Sequence, residues 1–276
     1  MRITILGSGS PLPDADRAGP ATLVQAGDAS LLVDCGRGAL MRLTAAGAAV
    51  QALSAVLVTH LHSDHLTDLD DVITSRWALS LAPNPLRVVG PPGTRRIVER
   101  TLTVLEDDIA YRLAHHADLT EGPQVEVTEL DEGPVDLGIA GLRVTVAPTD
   151  HAPVRPTIGF RVEADGAVVA LVGDTVPCPG VDQLASGADV YVQTTVRRDL
   201  IQAIGLPRLL DVLDYHSSVE QAAETAARLG VGTLVLTHLV PAPPIGSPAE
   251  QEWADLAAAG FDGGVVVARD LTAIEA

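Results

Sequence analysis

Three histidines and an aspartate stand close together in the stretch THLHSDH, residues 59–65. His60 and His62 alternate by two, so their rings face the same way in an extended loop. Asp64 and His65 follow where the chain turns toward a helix, and they point to a neighbouring position. Imidazole nitrogens and carboxylate oxygens are ligands that zinc favours. The spacing therefore indicates two adjacent metal ions rather than one.

Further potential ligands stand where predicted strands end. The apolar runs LSAVLVTH, LRVTVAPTDH, AVVALVGDT and GTLVLTHL deliver His60, His151, Asp174 and His238. Sites in α/β proteins are built on loops that follow strand ends, so we expect these side chains to meet. A carboxylate with two oxygens can bridge two ions, and Asp174 is the predicted bridge. A polar loop with accidental histidines would not explain the three additional strand-end ligands.

Short apolar runs alternate with amphipathic stretches along the whole chain. Helices are predicted over 37–48, 66–80, 92–106, 180–187, 217–229 and 248–259. The segment SSVEQAAETAARLG has a Ser N-cap, an acid in its first turn and a Gly after its last turn, as a helix requires. Strands are predicted for RITILG, SLLVDCG, AVLVTH, LRVVGP, LRVTVAP, TIGFRVEA, AVVALVGD, DVYVQTT, TLVLTHL and GVVVARD. Mixed elements of this kind predict α/β layers, and we expect one domain over residues 1–276.

Composition limits the location and the redox chemistry. Apolar residues make up 47% of the 276 residues and aromatics only 3%, which predicts a core of Ala, Val, Leu and Ile. No window approaches a membrane span, and the first apolar run is too short for a signal peptide, so a cytoplasmic protein without a membrane partner is expected. Cys35 and Cys178 are too few for a disulfide framework, and we assign them no chemistry.

The charge is one-sided. There are 36 acidic residues against 18 basic residues, all of them Arg, for a net charge of −18. Binding to a nucleic-acid backbone normally needs a basic footprint, so the composition predicts no nucleic-acid partner. A small anionic substrate is still possible, because the charge of the site itself decides its binding.

The motifs THLHSDH, DH at 151, GDT at 174 and LTHL at 238 resemble the signature of the metallo-β-lactamase superfamily. The resemblance covers nearly the whole chain, including LGSGSPLP and LLVDCG. It implies a four-layer αββα sandwich with the metals at one edge, between two sheets. It also implies two zinc ions, one held by His60, His62 and His151, the other by Asp64, His65 and His238, with Asp174 as the bridge.

Two further expectations concern the same site. Asp34, in LLVDCG, matches a structural Asp of the family. That Asp orients the loop of residues 59–65, called the metal loop below, without binding metal. The ligand types would also accept manganese or iron in place of zinc.

The segment DYHSSVEQAAETAARL resembles a particular branch of the superfamily. His216 precedes a helix and lies 22 residues before His238, as in ribonuclease Z and its arylsulfatase-like and phosphodiesterase relatives. In that branch the residue at this position faces the substrate, where it stabilises charge or protonates the leaving oxygen. The alternative is that His216 only packs against the start of the helix.

Three departures lead us to expect a small-molecule substrate rather than tRNA. Only 22 residues separate His151 from Asp174, which leaves no room there for the long RNA-binding arm of ribonuclease Z. Thr194 stands where that branch has a glutamate, and the net charge is strongly negative. We therefore expect a phosphodiester or an aryl sulfate of a small molecule to be cleaved by a metal-bound hydroxide, oriented by Asp64 and Asp174 and assisted by His216 as general acid.

Other side chains are candidates for contact with that anion. Arg197 and Arg198 follow a strand end that should face the cleft, although both could be solvated surface residues. Trp77 follows the metal loop and could form a wall of the pocket. His115 and His116 have no ligand-like partners nearby and are expected at the surface or in the substrate wall.

Two alternative functions remain open from the sequence. The same metals could hydrolyse a lactone, a thioester or an amide. The site could also be non-catalytic, used for structure or sensing, although structural zinc sites are usually closed four-coordinate cages. Homodimers are common in this branch, and we expect one.

Overall fold

The Val- and Leu-rich runs of the sequence form two seven-stranded sheets in the computed structural model, which describes residues 1–276. The first sheet contains β1 (Arg2–Gly7), β2 (Ala21–Ala26), β3 (Ala29–Val33), β4 (Ala55–Leu57), β5 (Leu86–Gly90) and β6 (Val125–Glu129). The second contains β7 (Gly133–Val135), β8 (Leu142–Pro148), β9 (Ile158–Ala164), β10 (Ala167–Leu171), β11 (Val190–Val196), β12 (Thr233–Val240) and β13 (Gly264–Val267). The last strand, β14 (Thr272–Glu275), returns to the first sheet and pairs antiparallel with β1.

Both sheets are mixed. The first has the order β14-β1-β2-β3-β4-β5-β6, and β3 to β6 are parallel neighbours. The second has the order β13-β12-β11-β10-β9-β8-β7, and β10 to β13 are parallel. Parallel neighbours place their carboxyl ends at one edge of the sheet, where loops can carry a site.

Helices cover the outer faces. The first half of the chain supplies α1 (Ala39–Ala45), α2 (Leu69–Leu79), α3 (Thr94–Val104) and α4 (Glu106–His115). The second half supplies α5 (Pro179–Ala185), α6 (Arg198–Ile204), α7 (Pro207–Leu210), α8 (Val219–Leu229) and α9 (Pro248–Ala258). Short 3-10 turns occur at Val50–Ala52, Ser63–His65 and Asp211–Asp214. None of these helices combines the length and the hydrophobicity that crossing a bilayer demands.

The apolar core has three layers. One cluster lies between the sheets and includes Ile5, Leu31, Phe160 and Val192. A second packs α1, α2 and α3 against the first sheet, and a third packs α5, α8 and α9 against the second. The fold is therefore the predicted single-domain αββα sandwich, and that prediction is confirmed.

Helix α8 shows how local sequence fixes an element near the site. The Ser218 hydroxyl accepts the backbone N–H of Gln221 at 3.3 Å, and the Gln221 side chain accepts the N–H of Ser218 at 2.9 Å. This reciprocal cap begins the helix directly after His216 and Ser217. Gly230, with φ of 66°, ends it in the left-handed conformation. The start of α8 is therefore pinned, and with it the residues just before it.

Candidate metal centre

The sequence-predicted ligands meet at one edge of the sandwich, between the two sheets. His60 follows β4 of the first sheet, while His151 and Asp174 follow β8 and β10 of the second. His238 lies within β12, near its end. All four side chains are buried. Both sheets therefore contribute ligand-type residues to a single site.

The potential ligand atoms lie in three overlapping groups. Within each group, all ligand atoms are within 4.8 Å of one another; the groups are His60, His62, His151 and Asp174; Asp64, His65 and His238; and Asp174, His216 and His238. Asp174 is common to two groups. Its Oδ2 lies 3.2 to 3.8 Å from the Nε2 atoms of five histidines: His60, His65, His151, His216 and His238. The central carboxylate is thus Asp174, at the position expected for the bridge.

The donor set fits metal ions better than it fits a closed hydrogen-bond network. His65 Nε2 and Asp174 Oδ1 are buried and have no hydrogen-bond partner. The Nε2 of His60 lies 3.0 Å from the Nδ1 of His62, so two ring nitrogens face each other. Buried polar atoms normally have partners, and orphaned nitrogen and oxygen atoms converging on shared points are what cations satisfy. The cluster is that of a dinuclear zinc site.

Hydrogen-bond partners outside the cluster determine which ring nitrogen of His65 and of His151 is available to bind a metal ion. His65 Nδ1 lies 2.7 Å from Asp34 Oδ2, and His151 Nδ1 lies 2.8 Å from the carbonyl oxygen of Tyr215. A carboxylate and a carbonyl only accept, so Nδ1 donates in both rings. The lone pair of Nε2 then points into the cluster, an orientation typical of metal-binding histidines.

Asp34 connects, directly or through Thr59, to two histidine rings of the metal loop. It has a φ of 58°, in the left-handed region that Asp tolerates better than most residues. Its Oδ1 accepts the N–H of Thr59 at 2.8 Å, and the Thr59 hydroxyl donates to Oδ2 at 2.8 Å. Thr59 Oγ1 is also 3.0 Å from the Nδ1 of His60. A single carboxylate therefore connects to the rings of both His60 and His65.

Two backbone features bring the second sheet against the metal loop. Gly173 has a φ of 63°, and a Cβ at this position would lie 2.8 Å from Thr59, so only Gly fits directly before Asp174. His238 has a φ of 51°, and the pairing of β11 with β12 shifts register between Thr194 and Val196. A bulge of this kind redirects a side chain and is frequent beside active sites.

Burial and neighbouring charges shift the pKa values of the cluster residues in different directions. Burial lowers the pKa of His60 well below its usual value and that of His151 to about 4, so both rings are neutral at physiological pH. Burial alone would raise the pKa of Asp174, but His238, His65 and His216 hold it well below the usual range. For His65, Asp174 and Asp34 outweigh burial and raise the pKa, and a bound cation would compete with that proton.

His216 lies inside the cluster and does not merely pack against the helix. Its Nε2 is 3.2 Å from Asp174 Oδ2, and its Nδ1 is 3.1 Å from the Val212 carbonyl oxygen. The N–H of the next residue, Ser217, donates to the carbonyl of Thr175 at 2.9 Å, which anchors this segment beside Asp174. The ring therefore bridges the central carboxylate and the 211–214 turn.

The structure does not bring the predicted substrate-contact residues to the cluster. The Arg197 guanidinium is buried and makes two bonds to Asp199, at 2.8 and 2.7 Å, while its centre lies 5.9 Å from the ring of Trp253. Arg198 is exposed at the start of α6. Trp77 donates to the Glu121 carbonyl at 2.9 Å and lines a groove of about 100 Å³ whose lining includes none of the clustered histidines.

The remaining histidines and the cysteines also lie outside the cluster. His115 and His116 are exposed, and their rings pack against each other at 4.9 Å. Cys35 is buried under the metal loop, where its N–H donates to the His65 carbonyl at 2.7 Å. Burial raises the pKa of its thiol well above the usual value, which disfavours a reactive thiolate. Cys178 is partly exposed, and both cysteines are free.

Two residues of the site were not predicted from the sequence. Thr59 contacts Asp34 and the ring of His60, and Tyr215 accepts a hydrogen bond from His151 through its backbone. Each directly precedes a predicted functional histidine. That adjacency is the only sequence signal, and it does not reveal a role that a backbone carbonyl performs.

Comparison with known proteins places the chain in a family. Residues 30–239 match the family model described as the beta-lactamase superfamily domain, and the chain belongs to that superfamily. Among solved structures, the metallo-beta-lactamase fold protein YhfI from Bacillus subtilis superposes with a TM-score of 0.77 at 22% identity, covering 100% of this chain and 98% of that one. Human tRNase Z, short form, superposes with a TM-score of 0.73, also at 22% identity, covering 100% of this chain and 99% of that one. The chain is thus a metal-dependent hydrolase by class.

Relatives with similar sequences identify the family within that superfamily. A protein named Ribonuclease Z from Mycobacterium bovis is 55% identical over 277 residues, covering 100% of this chain and 98% of the relative. Ribonuclease Z from Mycolicibacterium gilvum is 53% identical over 277 residues, covering 100% and 96%. Within the superfamily, the chain belongs to the ribonuclease Z family.

These relatives overturn the expected substrate. The prediction of a small-molecule phosphodiester or aryl sulfate, with no nucleic-acid partner, is wrong, because relatives that match from end to end are named for a nuclease that acts on RNA. The missing arm was poor evidence, since the 277 aligned residues span 98% of the M. bovis relative and leave no space for an arm there either. The net charge was poor evidence too, because it sums the whole surface, whereas a substrate meets a local field.

Proposed function

We propose that this chain is a zinc-dependent ribonuclease Z that hydrolyses a phosphodiester bond of RNA in the 3′ processing of tRNA. One observation carries the proposal: 55% identity over the full length to a protein named Ribonuclease Z, in a chain that retains a converged histidine–aspartate cluster. A cytoplasmic location and a homodimeric assembly are expectations that accompany it.

The proposed ligand assignment follows the geometric groups. We assign His60, His62 and His151 to one zinc ion and Asp64, His65 and His238 to the other, with Asp174 bridging them. Support comes from the clustering of ligand atoms within 4.8 Å in each group and from His65 Nε2, which faces the two carboxylates without a hydrogen-bond partner. When bound, two such ions supply positive charge for the phosphate and lower the pKa of water at the site.

Asp64 and Asp174 act in this proposal as the two fixed negative charges. Asp64 Oδ2 lies 3.3 Å from His238 Nε2 and 3.6 Å from His65 Nε2, and Asp64 is buried. A buried carboxylate held by two rings cannot rotate freely, so it orients whatever binds beside it. Asp64 is assigned to orient the attacking water as well as to bind metal.

His216 is assigned to protonate the oxygen that leaves the phosphate. Its Nδ1 faces a carbonyl, which can only accept, so Nδ1 donates and Nε2 is the nitrogen that exchanges a proton inside the cluster. In the doubly protonated ring, Nε2–H donates toward Asp174 Oδ2 at 3.2 Å. A proton held at a stated atom beside the central carboxylate is the arrangement that general acid catalysis requires.

The test is cleavage of a precursor tRNA that carries a 3′ trailer. Zinc-loaded protein should release the trailer, a chelator should abolish the release, and added zinc should restore it. Asp64→Ala should lose both activity and zinc, whereas His216→Ala should keep its zinc and lose about 100-fold or more in rate. Arg208→Ala, at an exposed position of α7, is the matched control and should behave as the parent. Zinc-loaded parent protein that leaves the precursor intact would refute the proposal.

A further inference from the structure

Tyr215 is the aromatic side chain that the fold places at the metal cluster. The chain has only two Trp, three Tyr and two Phe residues. Trp253, Tyr191, Phe160 and Phe261 are buried in apolar clusters, Trp77 lies in its groove, and Tyr111 is 70% exposed on α4. An aromatic ring beside the cluster is therefore exceptional in this chain.

The Tyr215 ring packs on two histidines of the site. Its centroid is 5.1 Å from that of His151, at an interplanar angle of 77°, and 4.8 Å from that of His216, at 46°. The backbone is fixed as well, because the Tyr215 carbonyl accepts from His151 Nδ1 at 2.8 Å. Tyr215 is partly exposed, whereas His151 and His216 are buried. The ring thus stands between the cluster and solvent.

The charges around Tyr215 do not favour a polyanion. Asp211 and Asp214 lie just before it in the chain, and Arg208 on α7 is the one basic residue among the ten that precede it. This segment therefore offers RNA no cluster of cations, and contacts to the RNA backbone here do not depend on one. Stacking needs only an aromatic face, and it accepts any base.

We propose that Tyr215 is the stacking platform for the nucleobase next to the scissile phosphate, an inference that rests on the proposed function. The ring lies one residue from His216, which is assigned to the leaving oxygen, so a base stacked on it would bring the adjoining phosphate to the cluster. The residue fixes the position of the substrate by its π face rather than by its hydroxyl. Its effect should therefore fall on substrate binding more than on turnover.

Three variants test the platform in the precursor-tRNA assay. Tyr215→Leu should raise KM by about 5- to 50-fold with little change in kcat, since aromatic–base stacking commonly contributes that much. Tyr215→Phe keeps the face and should remain within about twofold of the parent. Tyr111→Leu, at an exposed Tyr on α4, is the matched control and should not change KM. Zinc content should stay at the parent level in all three.

A substrate without the stacked base makes the test specific. In RNA carrying an abasic residue beside the cleavage site, the parent protein should lose about as much affinity as Tyr215→Leu loses on normal RNA. Tyr215→Leu should lose nothing more on the abasic substrate, because the same contact is already absent. Non-additivity of this kind identifies two groups that interact directly.

Three results would overturn the inference. The KM of Tyr215→Leu could equal that of the parent, the loss could be the same on normal and abasic RNA, or zinc could leave the variant, which would show that Tyr215 acts through His151. The first two require that the parent cleaves RNA, whereas zinc content is measured without substrate. A parent that does not cleave RNA refutes the proposed function itself, so the two failures are distinguishable.

Discussion

Buried carboxylates occur in two regions of this molecule, and their surroundings are opposite. At the junction of β14, α9 and the first loop, Glu250 and Asp270 each have two partners per oxygen. Glu250 accepts from Arg17, Arg269 and the Gly246 N–H, and Asp270 accepts from Ser8, Ala18 and Arg42. At the metal cluster, Asp174 Oδ1 has no partner at all.

The difference separates a polar network that stabilises the fold from one that binds a ligand. The Arg17 side chain is completely buried; its Nε has no partner, but its two terminal nitrogens contact Ser8, Glu250 and two carbonyls, so the protein itself compensates most of its charge. The cluster around Asp174 instead turns imidazole nitrogens toward one another. Buried groups that the chain does not compensate indicate a binding site, because their desolvation is otherwise unfavourable.

The largest predicted effect comes from removing the central carboxylate. Asp174→Ala should release at least one zinc ion per chain and lower RNA cleavage by about a thousandfold or more, since metal stabilisation of the transition state amounts to several kcal/mol. Metal analysis and single-turnover cleavage would measure both. Asp182→Ala removes a surface partner of Arg228 and should retain zinc and activity. Full activity in Asp174→Ala would show that this uncompensated carboxylate is not part of a metal-binding site.

The second prediction concerns the compensated region. Arg17→Met should lower the free energy of unfolding by about 3 kcal/mol or more, because it leaves Glu250 buried with one fewer cation and two carbonyls without this donor. Zinc bound per folded chain should not change. Denaturant unfolding of metal-loaded protein would measure it, with Arg208→Met, at an exposed position, as the control expected within about 0.5 kcal/mol. Loss of zinc without loss of stability would contradict the assignment of Arg17 to the fold.

The metal cluster was predictable because its residue types are rare and their spacing is tight. His60, His62 and His65 are recognisable because they stand in one short loop. His151 and His238 are recognisable because each stands at the end of an apolar run. The αββα layers were predictable for the same reason, since ten of the strands are clear apolar runs. The missed strands are β2 and three edge strands, β6, β7 and β14. An edge strand buries little surface, so alternating sequences such as VEVTE give no apolar run.

Other features depend on contacts that a linear sequence does not display. The sequence left Arg197 either as a substrate contact or as a solvated surface residue, and it did not display the pairing of its guanidinium with Asp199, two residues further along. Tyr215 supports His151 through a carbonyl, a group that every residue has. The bulge that turns His238 toward the cluster lies within an ordinary apolar strand. The substrate was mispredicted because total charge was used in place of local structure.

A smaller effect is predicted for the residue that connects the loop to its rings. Asp34→Asn should weaken zinc binding by about 10- to 100-fold, because the amide keeps an oxygen for the Nδ1–H of His65 but loses the negative charge that polarises the ring. Competition with a coloured chelator would measure the affinity. Asp28→Asn, in the exposed turn between β2 and β3, is the control. Unchanged affinity would show that Asp34 only shapes the loop.

The smallest effect distinguishes the two regions by pH. Burial would raise the pKa of Glu250, but Arg269, the Gly246 N–H and Arg17 together lower it below the usual value. A lowered carboxyl pKa adds stability above the pKa of the unfolded chain, about 4.3, and that stability is lost as the pH falls through the folded value. Glu250→Gln should therefore unfold at a lower temperature than the parent at pH 7, and the gap should narrow below about pH 4. Both proteins are measured in chelator, so that release of zinc at low pH does not affect the difference in unfolding temperature. A difference that stays constant with pH would mean that the ionised state of Glu250 contributes nothing to the stability of the fold.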